Sequence, residues 1–151
     1  MLYEQSLTLA LKSLDGDFSV RLLHLGESTA GVWLKDCSDG LYTDKAGFAR
    51  DVLLCLDDEP VVWARSFCLA QDVFWRQMLD CGTQPLGARL FDGSLPLYRT
   101  PFTYTSADPS DALPLYGHSG HAFAARRSAF THQQSVLGLV ECFLPALLRF
   151  L

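Results

Sequence analysis

Two pairs of apolar runs, each pair separated by a short polar turn, constrain the fold of this chain more than any other feature. The first pair covers residues 48–56 and 60–68 and flanks Asp57-Asp58-Glu59. The second covers residues 121–131 and 135–144, joined by His132-Gln133-Gln134. Runs of this length that are rich in Val, Leu and aromatic residues predict antiparallel hairpins. We therefore expect an antiparallel sheet at the core.

Helical spacing predicts three helices around these strands. Residues 15–25 carry apolar side chains behind a possible N-cap, Asp17. A second short helix is expected over residues 29–35, and a third over residues 70–81, where Gly82 can end it.

The later part of the chain is rich in turn-forming residues. Pro85-Leu86-Gly87 predicts a turn, and residues 92–120 read as a long connection or flap around a possible strand over residues 97–104.

Length and charge exclude several classes of protein. With 151 residues, 49% of them hydrophobic, the chain can bury one core without disulfides, so we expect a single α+β domain over residues 1–151. A net charge of -5 without a basic cluster argues against nucleic acid as a partner. No secretory signal is recognisable, and no run approaches the roughly 18 apolar residues that span a bilayer. We therefore expect a cytoplasmic protein without an integral membrane segment.

Arg50 and Glu141 interrupt apolar strands, where a charge is costly. Strand alternation puts Arg50 on a face with Val52 and Leu54, and Glu141 on a face with Leu139. A buried charge costs several kcal/mol unless it is paired and hydrogen-bonded. Two explanations stay open at this point: both charges face a polar ligand in one cavity, or they lie at the solvent boundary or pair with each other in a structural salt bridge.

Six short motifs follow one another in an order that is more specific than any single motif. They are Arg50-Asp51-Val52-Leu53-Leu54-Cys55, Glu59-Pro60, Ala64-Arg65, Pro85-Leu86-Gly87, Arg126-Arg127-Ser128 and Glu141-Cys142-Phe143-Leu144-Pro145. This ordered set, spanning residues 22–148, resembles the chorismate pyruvate-lyase family.

The resemblance implies a fold and a reaction. It implies a compact α+β domain in which an antiparallel sheet carries helices on one side, with flap helices enclosing an internal ligand pocket. It implies a monomeric lyase that converts chorismate to 4-hydroxybenzoate and pyruvate at the entry to ubiquinone synthesis, without a metal or organic cofactor. The expected partners are the small-molecule substrate and product.

The resemblance also implies roles for four residues. Arg50 would bind the ring carboxylate, and Glu141 would contact the ring oxygen at the opposite end. Backbone amides would contribute at Leu86 and, at the start of an early helix, near Thr29; such N–H groups bind carboxylates whatever their side chain. Arg126 and Arg127 point to opposite faces, so at most one of them faces the pocket, and neither is assigned a catalytic role.

Two other functions remain compatible with these residues. One is a noncatalytic effector-binding domain with a related pocket, as in the sensory domains of some transcription regulators. The other is a degenerate relative that binds 4-hydroxybenzoate without turning over chorismate.

Overall fold

A computed structural model gives the fold and describes residues 6–29, 46–91, 93, 95–107 and 123–151. Within these ranges the chain forms one antiparallel sheet of seven strands together with short helices. In chain order the elements are α1 Leu7–Lys12, β1 Phe18–Thr29, β2 Ala46–Leu56, β3 Glu59–Leu69, α2 Val73–Leu79, α3 Leu86–Phe91, β4 Tyr98–Arg99, β5 Thr103–Ala107, β6 Phe123–His132, β7 Ser135–Phe143 and a 3₁₀ helix, Pro145–Phe150.

The sheet has the strand order β1-β2-β3-β7-β6-β4, and β5 also pairs with β6. Both predicted hairpins are confirmed, as β2–β3 and β6–β7. Asp57 and Asp58 have φ angles of 51° and 63°, the left-handed values that a type I′ hairpin turn requires at both central residues. In the second hairpin His132 pairs with Ser135, so Gln133 and Gln134 form the two-residue turn.

The helices pack on one face of the sheet, as the α+β expectation requires. Near one end, Leu7 and Leu11 of α1 and Leu147 of the 3₁₀ helix pack in one buried cluster with residues of β2 and β3. Near the other end, side chains of α2 and α3 pack in a second cluster with residues of β3, β6 and β7. Polar and charged side chains, among them Arg50 and Glu141, lie between these two clusters. Within the described ranges, no helix is long and apolar enough to cross a bilayer.

The helix predicted over residues 15–25 is wrong, because β1 occupies most of that segment. β1 is an edge strand, and its side chains from Arg21 to His24 are exposed. Its pairing with β2 also shifts between Leu22 and His24. An exposed strand with such an irregularity lacks a regular apolar alternation, so its leucines fit a helical spacing equally well.

The other element predictions have mixed outcomes. The helix over residues 70–81 is confirmed as α2, with Asp72 as its N-cap. Pro85-Leu86-Gly87 leads directly into α3, and the strand over residues 97–104 is divided into β4 and β5. Thr29, the first residue of the predicted second helix, ends β1; residues 30–35 lie outside the described ranges.

Candidate active site

A small pocket lies on the helical face of the sheet, between the two apolar clusters. Its floor includes Arg50 on β2, Ser66 on β3 and Glu141 on β7. Thr8 of α1 and Leu86 of α3 line its other side. Three neighbouring strands and two helices therefore bring the predicted residues Arg50, Leu86 and Glu141 to one cavity.

Arg50 is a buried cation whose hydrogen-bond partners are uncharged. Its side chain is held by the loop after α2, where Nη2 donates to Gly82 O at 3.0 Å and to Gln84 O at 2.8 Å. Gly82 takes a left-handed φ of 60°, which glycine adopts without strain. Burial lowers the pKa of Arg50, although an arginine stays protonated in proteins. Arg50 forms no ion pair with any described residue, and its buried Nε has no hydrogen-bond partner among them.

Glu141 is buried and paired, in contrast to Arg50. Its Oε1 accepts a hydrogen bond of 2.8 Å from Nε of Arg126, which lies directly opposite on β6. Burial raises the pKa of Glu141, and the Arg126 cation opposes that rise. Arg50 and Glu141 do not form the salt bridge considered above, since two strand spacings and two residues along the strands put their Cα atoms about 12 Å apart.

Arg126 is the residue of this site to which sequence reasoning assigned no role. It is fully buried, and its Cζ lies 4.0 Å from the centroid of the Phe102 ring. The signal that could have found it is the hairpin register. A two-residue turn places Arg126 opposite Glu141, whereas the predicted three-residue turn places Ala125 there.

The two predicted backbone contacts differ in position. Leu86 is buried, lines the pocket and begins α3, where a backbone N–H has no partner within the helix. Thr29 ends an edge strand, where it pairs with Ala46. Its contribution to a ligand site stays a prediction.

The pocket between the described residues is narrow. Its volume is about 30 Å³, which is room for about two water molecules, whereas small-molecule sites typically exceed about 300 Å³. α1 and α3 meet beside it: a Cβ added to Gly87 would lie 3.1 Å from Oγ1 of Thr8. A ligand larger than water therefore enters only if these helices separate.

The described residues contain no group of three or more His, Cys, Asp or Glu side chains that could hold a metal ion. The pocket offers a cation at one end, which no described carboxylate pairs with, and a carboxylate at the other. Such an arrangement can orient a small molecule that carries an anionic group and a hydroxyl.

Solved structures share this fold at low sequence identity. The crystal structure of PhnF from Mycobacterium smegmatis aligns with a TM-score of 0.66 at 17% identity, over 96% of this chain and 66% of that one. The C-terminal domain of a histidine utilization repressor from Pseudomonas syringae pv. tomato aligns with a TM-score of 0.53 at 17% identity, over 86% of this chain and 93% of that one. These likenesses show the fold alone.

Sequence relatives are more informative, although no family model matches the chain. A probable chorismate pyruvate-lyase 1 of Burkholderia pseudomallei is 34% identical over 112 residues, which span 70% of this chain and 60% of that protein. A probable chorismate pyruvate-lyase of Shewanella sp. strain MR-4 is 34% identical over 93% of this chain and 74% of its own length. One of Ralstonia nicotianae is 32% identical over 96% of this chain and 79% of its own length. The resemblance of the ordered motifs is thereby confirmed, and the chain belongs to the chorismate pyruvate-lyase family.

Proposed function

We propose that this chain is a chorismate pyruvate-lyase, which converts chorismate into 4-hydroxybenzoate and pyruvate. The observation that carries the proposal is Arg50, a buried cation that has no carboxylate partner among the described residues and that shares one pocket with Glu141. A buried charge left without a counter-charge is costly to the folded protein. An anionic ligand that completes the pairing accounts for its presence.

Arg50 is the proposed anchor for the ring carboxylate of chorismate. Its Nε has no partner within the described residues, while its Nη2 is already held by Gly82 O and Gln84 O. Those carbonyls fix the guanidinium in place, and a carboxylate arriving from the pocket would add the missing charge-assisted hydrogen bonds. The backbone N–H of Leu86, at the start of α3, is the proposed second donor.

Glu141 is the proposed contact for the hydroxyl at the opposite end of the ring. It lies two strands away from Arg50 on the same face, so a ring can bridge the two side chains. In the reaction the bond between the ring carbon and the enolpyruvyl oxygen breaks. The hydroxyl-bearing ring carbon loses its hydrogen, and the enolpyruvyl methylene gains one. The two products together contain all the atoms of the substrate, and the ring becomes aromatic.

Because aromatisation drives the reaction, the pocket mainly needs to orient the substrate and control its charges. The burial of Arg50 and Glu141 supports this, since buried charges act more strongly than exposed ones. We also propose that the chain acts as a cytoplasmic monomer and that its product supplies ubiquinone synthesis.

The test is to incubate the purified protein with chorismate. 4-Hydroxybenzoate would be followed by chromatography, and pyruvate by coupling to lactate dehydrogenase. We expect equal amounts of both products from the wild type. Arg50→Ala should lose turnover through lost substrate alignment, and Glu141→Gln should keep a hydrogen-bonding group without the charge. Arg149→Gln, at an exposed ion pair with Glu59, is the matched control.

One outcome would replace this function by another. A folded wild type that binds 4-hydroxybenzoate and releases no pyruvate from chorismate would be a noncatalytic aromatic-acid-binding domain. Calorimetric titration with 4-hydroxybenzoate on the same preparation separates that result from an unfolded or damaged protein.

A further inference from the structure

Phe102 lies between β4 and β5 and covers the guanidinium of Arg126 at 4.0 Å. Thr100 anchors this segment to β6, the strand that carries Arg126. Its backbone N–H donates to Ala129 O at 2.9 Å, and its Oγ1 accepts from the Ala129 N–H at 2.8 Å. The ring is therefore held over the cation by bonds to the same strand, and a cation held over an aromatic face in this way is attracted to it.

Arg126 acts on Glu141 and not on the pocket. It is fully buried and does not line the cavity, whereas Glu141 does. Only Oε1 of Glu141 is occupied, by Nε of Arg126. Within the described residues Glu141 makes no other hydrogen bond, so its Oε2 has no partner there.

We infer that Arg126, held by Phe102, is a positioning residue that fixes Oε1 of Glu141 and leaves Oε2 to accept a hydrogen bond from the ring hydroxyl of the substrate. The inference rests on the proposed function, which supplies the hydroxyl. It gives Glu141 one defined orientation, because a side chain with three rotatable bonds is held at one oxygen by a planar guanidinium.

The charges around Glu141 make its ionisation depend on Arg126. Arg126 on β6 contacts Glu141 directly, and Arg50 on β2 is the cation that lines the pocket itself. Among the described residues, all other residues that line the pocket are uncharged; they are Val20 on β1, Val52 and Leu54 on β2, Ala64 and Ser66 on β3, Leu139 on β7, Thr8 on α1, and Pro85, Leu86, Gly87 and Leu90 at α3. Burial raises the pKa of Glu141, and Arg126 opposes this rise. Loss of the cation would therefore raise the pKa further and protonate the acceptor at a higher pH.

The first experiment measures Glu141 without any ligand. Protein labelled with ¹³C at the glutamate carboxyls is titrated by NMR, and the Glu141 resonance is assigned by its loss in Glu141→Gln. We expect the midpoint to move upward in Arg126→Met, to move upward by less in Phe102→Leu, and to stay near the wild-type value in Arg126→Lys. Arg149→Gln, the exposed control, should leave it unchanged.

The second experiment measures the pH profile of kcat/KM with chorismate. We expect Arg126→Met to lower kcat/KM by about 10- to 100-fold, which is the effect of removing a residue that orients a metal-binding side chain in metalloenzymes. Its low-pH limb should also move toward higher pH. Arg126→Lys should restore the limb but not the full rate, because an ammonium keeps the charge without the planar geometry.

The outcomes are separable. Circular dichroism establishes which variants fold, and if Arg126→Met does not, Arg126→Lys and Phe102→Leu carry the test. An unchanged Glu141 midpoint and pH profile in folded Arg126→Met, or in Phe102→Leu if Arg126→Met does not fold, would overturn the inference and leave Arg126 a purely structural residue, and so would a full wild-type rate in Arg126→Lys. A wild type without turnover would overturn the proposed function instead, while the NMR titration would still decide the relation between Arg126 and Glu141.

Discussion

Arg50 and Arg126 are both buried arginines on the helical face of one sheet, yet their partners differ. Arg126 neutralises Glu141 and lies beneath the ring of Phe102. Arg50 is held by two backbone carbonyls, and no carboxylate among the residues that the structure describes contacts it. Carbonyl oxygens fix the direction of a guanidinium but do not cancel its charge. The difference separates a cation whose charge is balanced by a carboxylate from one that has no counter-charge in the described part of the chain, which is the one we propose to bind the ligand.

The strongest test of this comparison is the activity of Arg50 variants. We expect Arg50→Ala to lower kcat/KM for chorismate by about 10³-fold, since removal of one preorganised donor costs up to that factor. Arg50→Lys should recover little, because an ammonium cannot reproduce the planar fork. Initial rates of pyruvate release measure both variants. Normal kinetics in Arg50→Ala would show that Arg50 is not the anchor.

For the free energy of unfolding we expect the opposite order, with the substitution of Arg126 more damaging than that of Arg50. Arg126→Met leaves Glu141 buried without its partner, and we expect a loss of about 3–5 kcal/mol in the free energy of unfolding. Arg50→Met leaves only carbonyls behind, so we expect a loss of about 1 kcal/mol. Urea denaturation without ligand measures both. Equal losses would remove the distinction between the two sites.

A second ion pair, between Asp51 and Arg65, shows what such a pair does away from the pocket. Asp51 accepts from Arg65 through both carboxylate oxygens, at 2.7 and 2.8 Å, on the face of the sheet opposite Arg50. We expect Asp51→Asn to cost about 2 kcal/mol of stability and to change kcat/KM by less than about twofold. Thermal unfolding and initial rates check this. A large kinetic effect would mean that the opposite face contributes to the site.

The smallest expected effect is on the pH dependence of stability. The pKa of Glu141 is raised in the folded protein by burial, so the folded state keeps this proton at pH values where the unfolded chain has lost it. The stability that this retained proton of Glu141 contributes is fully present below the pKa of the unfolded chain and is lost as the pH rises through the pKa of the folded protein. Relative to Glu141→Gln, the wild type should therefore lose stability as the pH rises. Urea denaturation at several pH values measures this, and a constant difference in the free energy of unfolding between the wild type and Glu141→Gln would contradict it.

The hairpins were predictable because their apolar runs and turns determine strands locally, and this also placed Arg50 and Glu141 on strands. β1 was misread because an exposed edge strand with a shifted register has no clean alternation. α1 was missed because a six-residue helix depends on the burial of Leu7 and Leu11 more than on its own propensity. The pairing of Arg126 with Glu141 was missed because it depends on one residue in a turn.

The helices α1 and α3 meet over the pocket, and the free energy of separating them contributes to the binding of every ligand that needs them apart. The free energy needed to separate the helices is subtracted from the affinity of each ligand that requires the same opening. It therefore cancels from the ratio of affinities for chorismate and 4-hydroxybenzoate. A substitution that eases the opening would tighten the binding of both proposed ligands to the same degree, so any discrimination between them would depend on the groups that contact the ligand, on the floor formed by β2, β3 and β7 and at Leu86.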